Sequence, residues 1–400
     1  ARLYPDGGAQ GDLAQETWST CQAHNPNDDE NFFLPWHRMY VYFFETIIRE
    51  VSGEPTFTLP YWNYSTSDLA IRGVLPEEFR QQGSSLFVDK RNPGVNDGRP
   101  IQGDDQSLLS LDSLEQCTYK PQGTQQGFNM KLDFILHGNI HVRVGNRMNM
   151  GAVPWAAGDP IFWMHHCNID RIWASWNAAG RQNPVDDPNW MDRAFTFADA
   201  AGTRVETQVR DVNDIASLGY EYDQLEPAAG CETGDELGLA SATPEVVRGS
   251  ARERVSLAGA AATRVTLAPE SELSVASALG DDQKLFVKIS GLEAQAQPDV
   301  VYLIYYGLPD GVEGEARDAY LLGSVNFFGA VPHDHGGDHE AQAASADLTE
   351  RFFSFDATSV HRRLVAEQSA GADPQLTIVP LGEPAENAQP VLGAVQLIEQ

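Results

Sequence analysis

Apolar residues in the first half of the chain recur at helical spacing. His37, Val41, Phe44 and Ile48 fall at i, i+4, i+7 and i+11, one face of a helix over 37–49, with Pro35 at its start. His37 therefore points where the apolar residues point, toward the interior. Residues 131–143 and 160–177 carry the same period, and a shorter helix is expected over 12–24. Thr66–Gly127 reads as loop with short helices, broken by turn signals such as Arg91-Asn92-Pro93-Gly94. From residue 284 the period changes to that of strands. Lys284–Ser290, Val300–Tyr306, Tyr320–Phe328, Leu376–Leu381 and Val391–Ile398 are separated by Gly/Pro turns, a pattern that predicts a β-sandwich. The stretch between is rich in Ala, Gly and Glu and is expected to be a linker holding some strand or helix, such as Arg254–Leu267. The expected class is α+β and multidomain: a mainly α-helical bundle over 1–223, a linker over 224–282 and a β-sandwich over 283–400.

Charge narrows the partners. The chain holds 27 Lys and Arg against 57 Asp and Glu, a net −30 over 400 residues. Residues 1–223 carry 17 basic and 30 acidic residues and the remainder 10 and 27, so both regions are acidic. Neither nucleic acid nor an anionic membrane is expected as partner, because binding phosphate needs a cationic footprint. No apolar run approaches the roughly 18 residues of a membrane span. Four cysteines do not make a disulfide scaffold at this length. No secretory leader pattern opens the sequence; the compartment is left open, with a secreted or periplasmic location favoured.

The ten histidines carry the candidate chemistry: His24, His37, His137, His141, His165, His166, His333, His335, His339 and His361. A lone histidine on an apolar face is ordinarily a hydrogen-bonded core residue. Clustering changes this. His137 and His141 stand at i and i+4, so a helix places both imidazoles on one face, a common chelating geometry. The next helix brings His165-His166 in apolar surroundings. His166, Asp170 and Trp173 share a face there, so Asp170 is a candidate to orient an imidazole. His137, His141 and His166 together make a three-imidazole site, suited to copper, zinc or iron and unsuited to magnesium or calcium.

Phe33-Leu34-Pro35-Trp36-His37-Arg38 followed by Phe44-Glu45 resembles the first copper-site signature of the tyrosinase, catechol oxidase and molluscan haemocyanin superfamily. Asp159-Pro160-Ile161-Phe162 with His165-His166 and Asp170 resembles the second. Phe57–Tyr64 resembles the strand that follows the first-site helix. Ser85-Leu86-Phe87 with Arg91-Asn92, Asn189–Asp192 and Val209–Val212 resemble plant polyphenol oxidase segments, and Gly219–Tyr222 resembles the Tyr-x-Tyr motif closing the catalytic domain. The likeness runs over about residues 17–223 and more weakly into Gly323–Gly329 of the β region.

The resemblance implies a pair of coppers, each held by three histidines, that binds O₂. The second copper would take His137, His141 and His166, leaving His165 beside the site. The first would take His37, with two alignments open for its other ligands. In one, His24 is the second ligand after a longer loop, supported by Cys21 three residues before it. In the other, His24 is the first ligand and the second is missing or replaced by Asp28. Cys21 is either a thioether partner of a copper-site histidine or an unmodified thiol; Cys167 reads as a small core residue. Val153 falls at the gate position over the second copper. Asp133, one turn before His137, falls where the family often has a water-holding Glu, and Gly138 stands where a neighbouring Asn would be expected. That departure favours oxidation of o-diphenols over hydroxylation of monophenols.

The implied function is oxidation of o-diphenols to o-quinones by a copper-dependent polyphenol oxidase, with phenol hydroxylation as a further activity. The implied partners are a phenolic small molecule and O₂, with the C-terminal sandwich as an intramolecular cap. The alternatives are a haemocyanin-like oxygen carrier, or a single-copper or inactive homologue. Pro332–Glu340, with His333, His335 and His339, reads as a solvated polar loop or a transient copper-loading segment.

Overall fold

The computed structural model describes residues 8–18, 21–24, 31–231, 244–270, 277–330, 351–367 and 375–400. Helices come first: α1 (Ala9–Trp18), α2 (Phe33–Ser52), α3 (Glu77–Arg80), α4 (Gly127–Lys131), α5 (Gly138–Val144), α6 (Val153–Ala156) and α7 (Ile161–Ala178). A π-helical turn, Leu132–His137, joins α4 to α5 without a break. The expected helices over 37–49, 131–143 and 160–177 are therefore present, and Pro35 sits in the first turn of α2, where a missing N–H costs nothing. Phe57–Tyr64 forms no ladder. The Trp62 N–H instead bonds the Met164 carbonyl of α7 at 3.0 Å, and the Leu59 N–H bonds the Glu45 carboxylate of α2 at 2.8 Å. The segment is a strap across two helices, which local sequence pattern does not distinguish from a strand.

The strands are β1 (Ala194–Ala198), β2 (Arg204–Gln208), β3 (Val246–Ser250), β4 (Val255–Ser256), β5 (Thr263–Thr266), β6 (Ala268–Pro269), β7 (Leu285–Glu293), β8 (Tyr302–Tyr306), β9 (Leu321–Val325), β10 (Phe352–Asp356), β11 (Gln375–Pro380) and β12 (Val391–Glu399). Strands β1 and β2 form a hairpin. One sheet of the C-terminal region runs β10-β7-β12-β3-β6, with β4 beside β12; the other runs β5-β11-β8-β9. The five expected strands all appear. The expected linker does not hold its limits: β3 pairs β12 and β5 pairs β11, so the sandwich begins at Val246 rather than at 283. These strands are short and Gly- or Ala-flanked, and only their partners far along the chain identify them.

Strand β8 shows how the helical and sandwich regions join. Tyr302, Ile304 and Tyr306 face the sandwich core, while Val301, Leu303 and Tyr305 pack with Leu108 and Val142 of the helical region. Burial on both faces explains an unbroken apolar run. On the other side Met130 and Phe134, from α4 and the π turn, are built into the sandwich core. The segment carrying His137 and His141 is therefore clasped by the sandwich.

An ion pair ties the two long helices together. Arg38 of α2 donates from Nε to Asp170 Oδ1 of α7 at 2.5 Å, and both side chains are almost fully buried. Tyr220 and Tyr222 each donate a hydroxyl to Asp170 Oδ2 at 2.6 Å. Burial weighs against the Arg38 charge, but Asp170 and the two phenol oxygens outweigh it and hold its pKa above the ordinary value. Burial, then the Asp170 charge, keeps both tyrosines protonated as donors. The helix face suggests that Asp170 orients an imidazole; the structure gives its carboxylate to Arg38 and the tyrosines instead, because three stronger or closer donors converge on it. Cys117 and Cys231, 114 residues apart, form a disulfide, a pairing that sequence spacing does not reveal.

Asp170→Ala leaves Arg38 buried without its counter-charge and is expected to cost about 3–5 kcal/mol of stability. Urea unfolding followed by tryptophan fluorescence checks this, since Trp173 stacks 3.5 Å from the guanidinium. A loss below about 1 kcal/mol, the range of exposed pairs, would contradict the assignment.

Candidate metal centre

Four buried histidines from two segments meet in one place. The ligand-capable atoms of His137, His141, His165 and His166 all lie within 4.8 Å of one another. His37 joins them from α2, its ring stacked on His166 with centroids 4.1 Å apart and planes 5° apart. His37, His137, His141 and His166, on three helical segments, thus line one pocket with Cys21, Trp36, Val153, Phe162 and Phe328, and His165 stacks on His137 beside it.

The local chain fixes which ring nitrogen faces a metal. His37 Nδ1 lies 2.8 Å from the Phe33 carbonyl, His137 Nδ1 lies 3.0 Å from the Asp133 carbonyl, and His141 Nδ1 lies 2.6 Å from the Met150 carbonyl. A carbonyl only accepts, so each Nδ1 carries the proton and each lone pair sits on Nε2. Such anchoring sets tautomer and ring direction, as it does around metal ligands generally. The Asp133 carboxylate also approaches His137 Nδ1, at 3.1 Å.

The helix ends are pinned by neighbours in sequence. Arg91 donates twice to Asp159, from Nε at 2.8 Å and from Nη2 at 2.7 Å, and Asp159 Oδ1 accepts the Ile161 N–H at the head of α7. Asn92 donates to the Val142 and Gly145 carbonyls at the end of α5. Adjacent loop residues therefore hold the helix start before His166 and the helix end after His141.

Burial holds the pKa of His141, His165 and His166 well below the ordinary value, and the neighbouring imidazoles lower each further. These rings are neutral, the form that ligates. Among the described residues, His141 Nε2 and both ring nitrogens of His165 and His166 are buried with no hydrogen-bond partner. Leaving such atoms unmatched costs about 1–3 kcal/mol apiece. A metal ion would take these lone pairs, and an all-imidazole set fits copper. His165 shares the cluster with His166 more closely than the sequence suggests.

The other expected residues fall as follows. Val153 opens α6 and lines both this pocket and the adjoining one that contains Asp133. His24 ends the 3₁₀ turn Gln22–His24, but its side chain, and all of Asp28, lie outside the described residues. His333, His335 and His339 lie outside them as well. Cys167 is buried, as expected of a core residue.

The sandwich reaches the imidazoles through a residue that the sequence does not single out. It is Phe328, just beyond β9. Its ring stacks on His141 at 4.1 Å and 14° and meets His137 edge-on at 5.4 Å. The signal for it is Asn326-Phe327-Phe328, an aromatic pair at a strand's end followed by Gly329.

Residues 10–113 and 101–179 match the family model described as the common central domain of tyrosinase, and residues 184–229 match the polyphenol oxidase middle domain. A tyrosinase of Hahella sp., HcTyr1, is 30% identical over 347 residues, which cover 78% of this chain and 70% of that protein. The chain belongs to the type-3 copper family of tyrosinases and polyphenol oxidases. Catechol oxidase B of Solanum tuberosum is also 30% identical, over 223 residues, but the matched stretch is 48% of this chain and only 37% of the plant protein. Two solved structures share the fold. Latent apple tyrosinase superposes with a TM-score of 0.62 at 18% identity, covering 99% of this chain and 91% of its own. A functional unit of octopus hemocyanin gives 0.52 at 17%, covering 97% and 92%.

Titrating the metal-free chain with Cu(II) tests the centre. Both His141→Ala and His166→Ala are expected to weaken binding by more than the roughly 10–100-fold typical of losing an outer hydrogen-bond partner. His165→Ala is expected to weaken it less. Calorimetry that finds His166→Ala binding like the unsubstituted chain would remove His166 from the ligand set.

Proposed function

We propose that this chain is a copper-dependent oxidase that converts o-diphenols to o-quinones, two diphenols consuming one O₂ and releasing two waters. The observation that carries the reading is the stacking of His37 on His166 beside the His137–His141 pair. The two signature segments, more than a hundred residues apart, converge on one buried pocket. His137, His141 and His166 would hold the second copper; His37 and His24 would contribute to the first. Bound copper supplies the electrons that reduce O₂.

The chain's own residues supply the surroundings. Phe33, Trp36 and Phe162 pack against the imidazoles and keep the pocket apolar, which strengthens electrostatic interactions inside it. Val153, between the two cavities, would border the ring of a bound phenol. Asp133 is read as a positioning residue: its carboxylate faces His137 Nδ1 and holds that ring's tautomer. A monophenol, whose ordinary pKa is about 10, has to give up its proton to be hydroxylated, and Gly138 offers no carboxamide of its own there to help. This supports diphenol oxidation over monophenol hydroxylation.

Phe328 is read as the plug through which the sandwich caps the site. The face of His141 that it covers is where a substrate ring would stack. A secreted or periplasmic location is also proposed, supported by the Cys117–Cys231 disulfide, since such bonds persist in oxidising compartments.

Copper per chain by elemental analysis, with O₂ uptake on 4-methylcatechol, tests the function. About two coppers with turnover is the expected result. One copper without turnover, before and after plug removal, would sink it; reversible O₂ binding without turnover would favour an oxygen carrier. Phe328→Ala is expected to raise turnover by this chain several-fold. An unchanged rate in that variant would mean that Phe328 is not the barrier.

A further inference from the structure

We propose that Gly138 and Asn326 form a keyed contact: the missing side chain at 138 admits the Asn326 carboxamide, which positions Phe328 over His141. This rests on reading the sandwich as a cap, and not on the copper chemistry. Gly138 opens α5 directly after the π turn, with φ −61° and ψ −38°. Any residue adopts that conformation, and glycine is among the least favourable residues in a helix interior. The backbone therefore gives no reason for glycine here. The surroundings do. A Cβ at 138 would lie 2.6 Å from Asn326 Nδ2 and 2.8 Å from its Cγ, with Oδ1 nearer still. No real Cβ tolerates such approaches.

The carboxamide that fills this space is fully used. Asn326 Nδ2 donates to the Phe134 carbonyl of the π turn at 2.7 Å and to Asn139 Oδ1 at 3.1 Å. Asn326 Oδ1 accepts the Phe328 N–H at 3.1 Å. Asn139 Nδ2 completes the seam by donating to Ser324 Oγ at 2.9 Å. Asn326 is 3% exposed, so water does not replace these bonds without the loop first withdrawing. One side chain thus joins the turn preceding His137 to the backbone that aims the Phe328 ring. A side chain at 138 would push Asn326 out and take Phe328 with it.

Hydrogen exchange on the metal-free, full-length chain tests this without reference to catalysis. Gly138→Ala is expected to speed exchange of the 324–329 amides by roughly tenfold or more while α7 stays as protected as before. Asn326→Ala is expected to speed the same amides. In the Asn326→Ala background, Gly138→Ala should add nothing, because the atoms its Cβ would meet are gone. Wild-type exchange in Gly138→Ala would overturn the proposal. So would an equal effect of Gly138→Ala with and without Asn326, or loss of protection in α7 in both backgrounds, either of which would mean that the helix itself needs the glycine.

Discussion

The two long helices and the segment that follows them meet on one carboxylate. Asp170 accepts from Arg38, Tyr220 and Tyr222, so it is buried without being left unmatched. Burying an ion pair is costly, and it holds only where further hydrogen bonds satisfy both charges. The carboxylate is fully matched here, and Arg38 adds a donation from Nη1 to the Val212 carbonyl and a place over the Trp173 ring, although its Nη2 is buried with no hydrogen-bond partner among the described residues. Arg38 follows His37 directly, and Asp170 lies one turn after His166. Fixing the pair sets the facing positions of α2 and α7, and with them the 4.1 Å stack of the two imidazoles. The Tyr-x-Tyr segment draws the chain after the helices back onto the same point, so its place in the sequence is explained by a bond rather than by packing alone.

What is legible in the sequence has a local cause. The His137–His141 spacing, the period through His37 and the alternation from residue 284 each express one helix face or one strand face. The long apolar run Val300–Tyr306 is legible as a strand, but not the reason for it, which is burial between the sandwich core and Leu108 with Val142. What the sequence misleads on depends on distant partners. The spacing of Asp170 from His166 suggests an imidazole partner, yet which donor reaches a carboxylate depends on α2 and on residues 50 positions later. Strand β3 reads as linker because its pairing with β12 spans some 150 residues. The π turn is not visible at all, since its hydrogen bonds, not its side-chain pattern, set it apart.

The sandwich belongs to the construction of the centre rather than being an addition to it. Met130 and Phe134 sit in its core, so the turn that ends at His137 is buried partly by residues more than 150 positions downstream. A buried π turn needs its loosened carbonyls matched, and Asn326 matches the one at Phe134. The same region that covers His141 with Phe328 therefore also supports the backbone beneath His137. Withdrawal of the cap would do two things at once: uncover the imidazole face and release a constraint on the ligand segment.

That coupling gives a physical meaning to a departure from the family's pattern. Gly138, where the resemblance leads one to expect Asn, looks from the sequence alone like a loss of catalytic apparatus. In the fold the position is not empty, because an asparagine from the sandwich occupies it. A carboxamide carried by the helix and one carried by the cap are not equivalent. The first would stay on the helix whatever the sandwich does, whereas the second belongs to the segment that carries Phe328. In this structure the Asn326 carboxamide and the Phe328 ring over His141 come together, on one segment of the sandwich. The glycine is accounted for by the side chain it admits, not by its own backbone conformation.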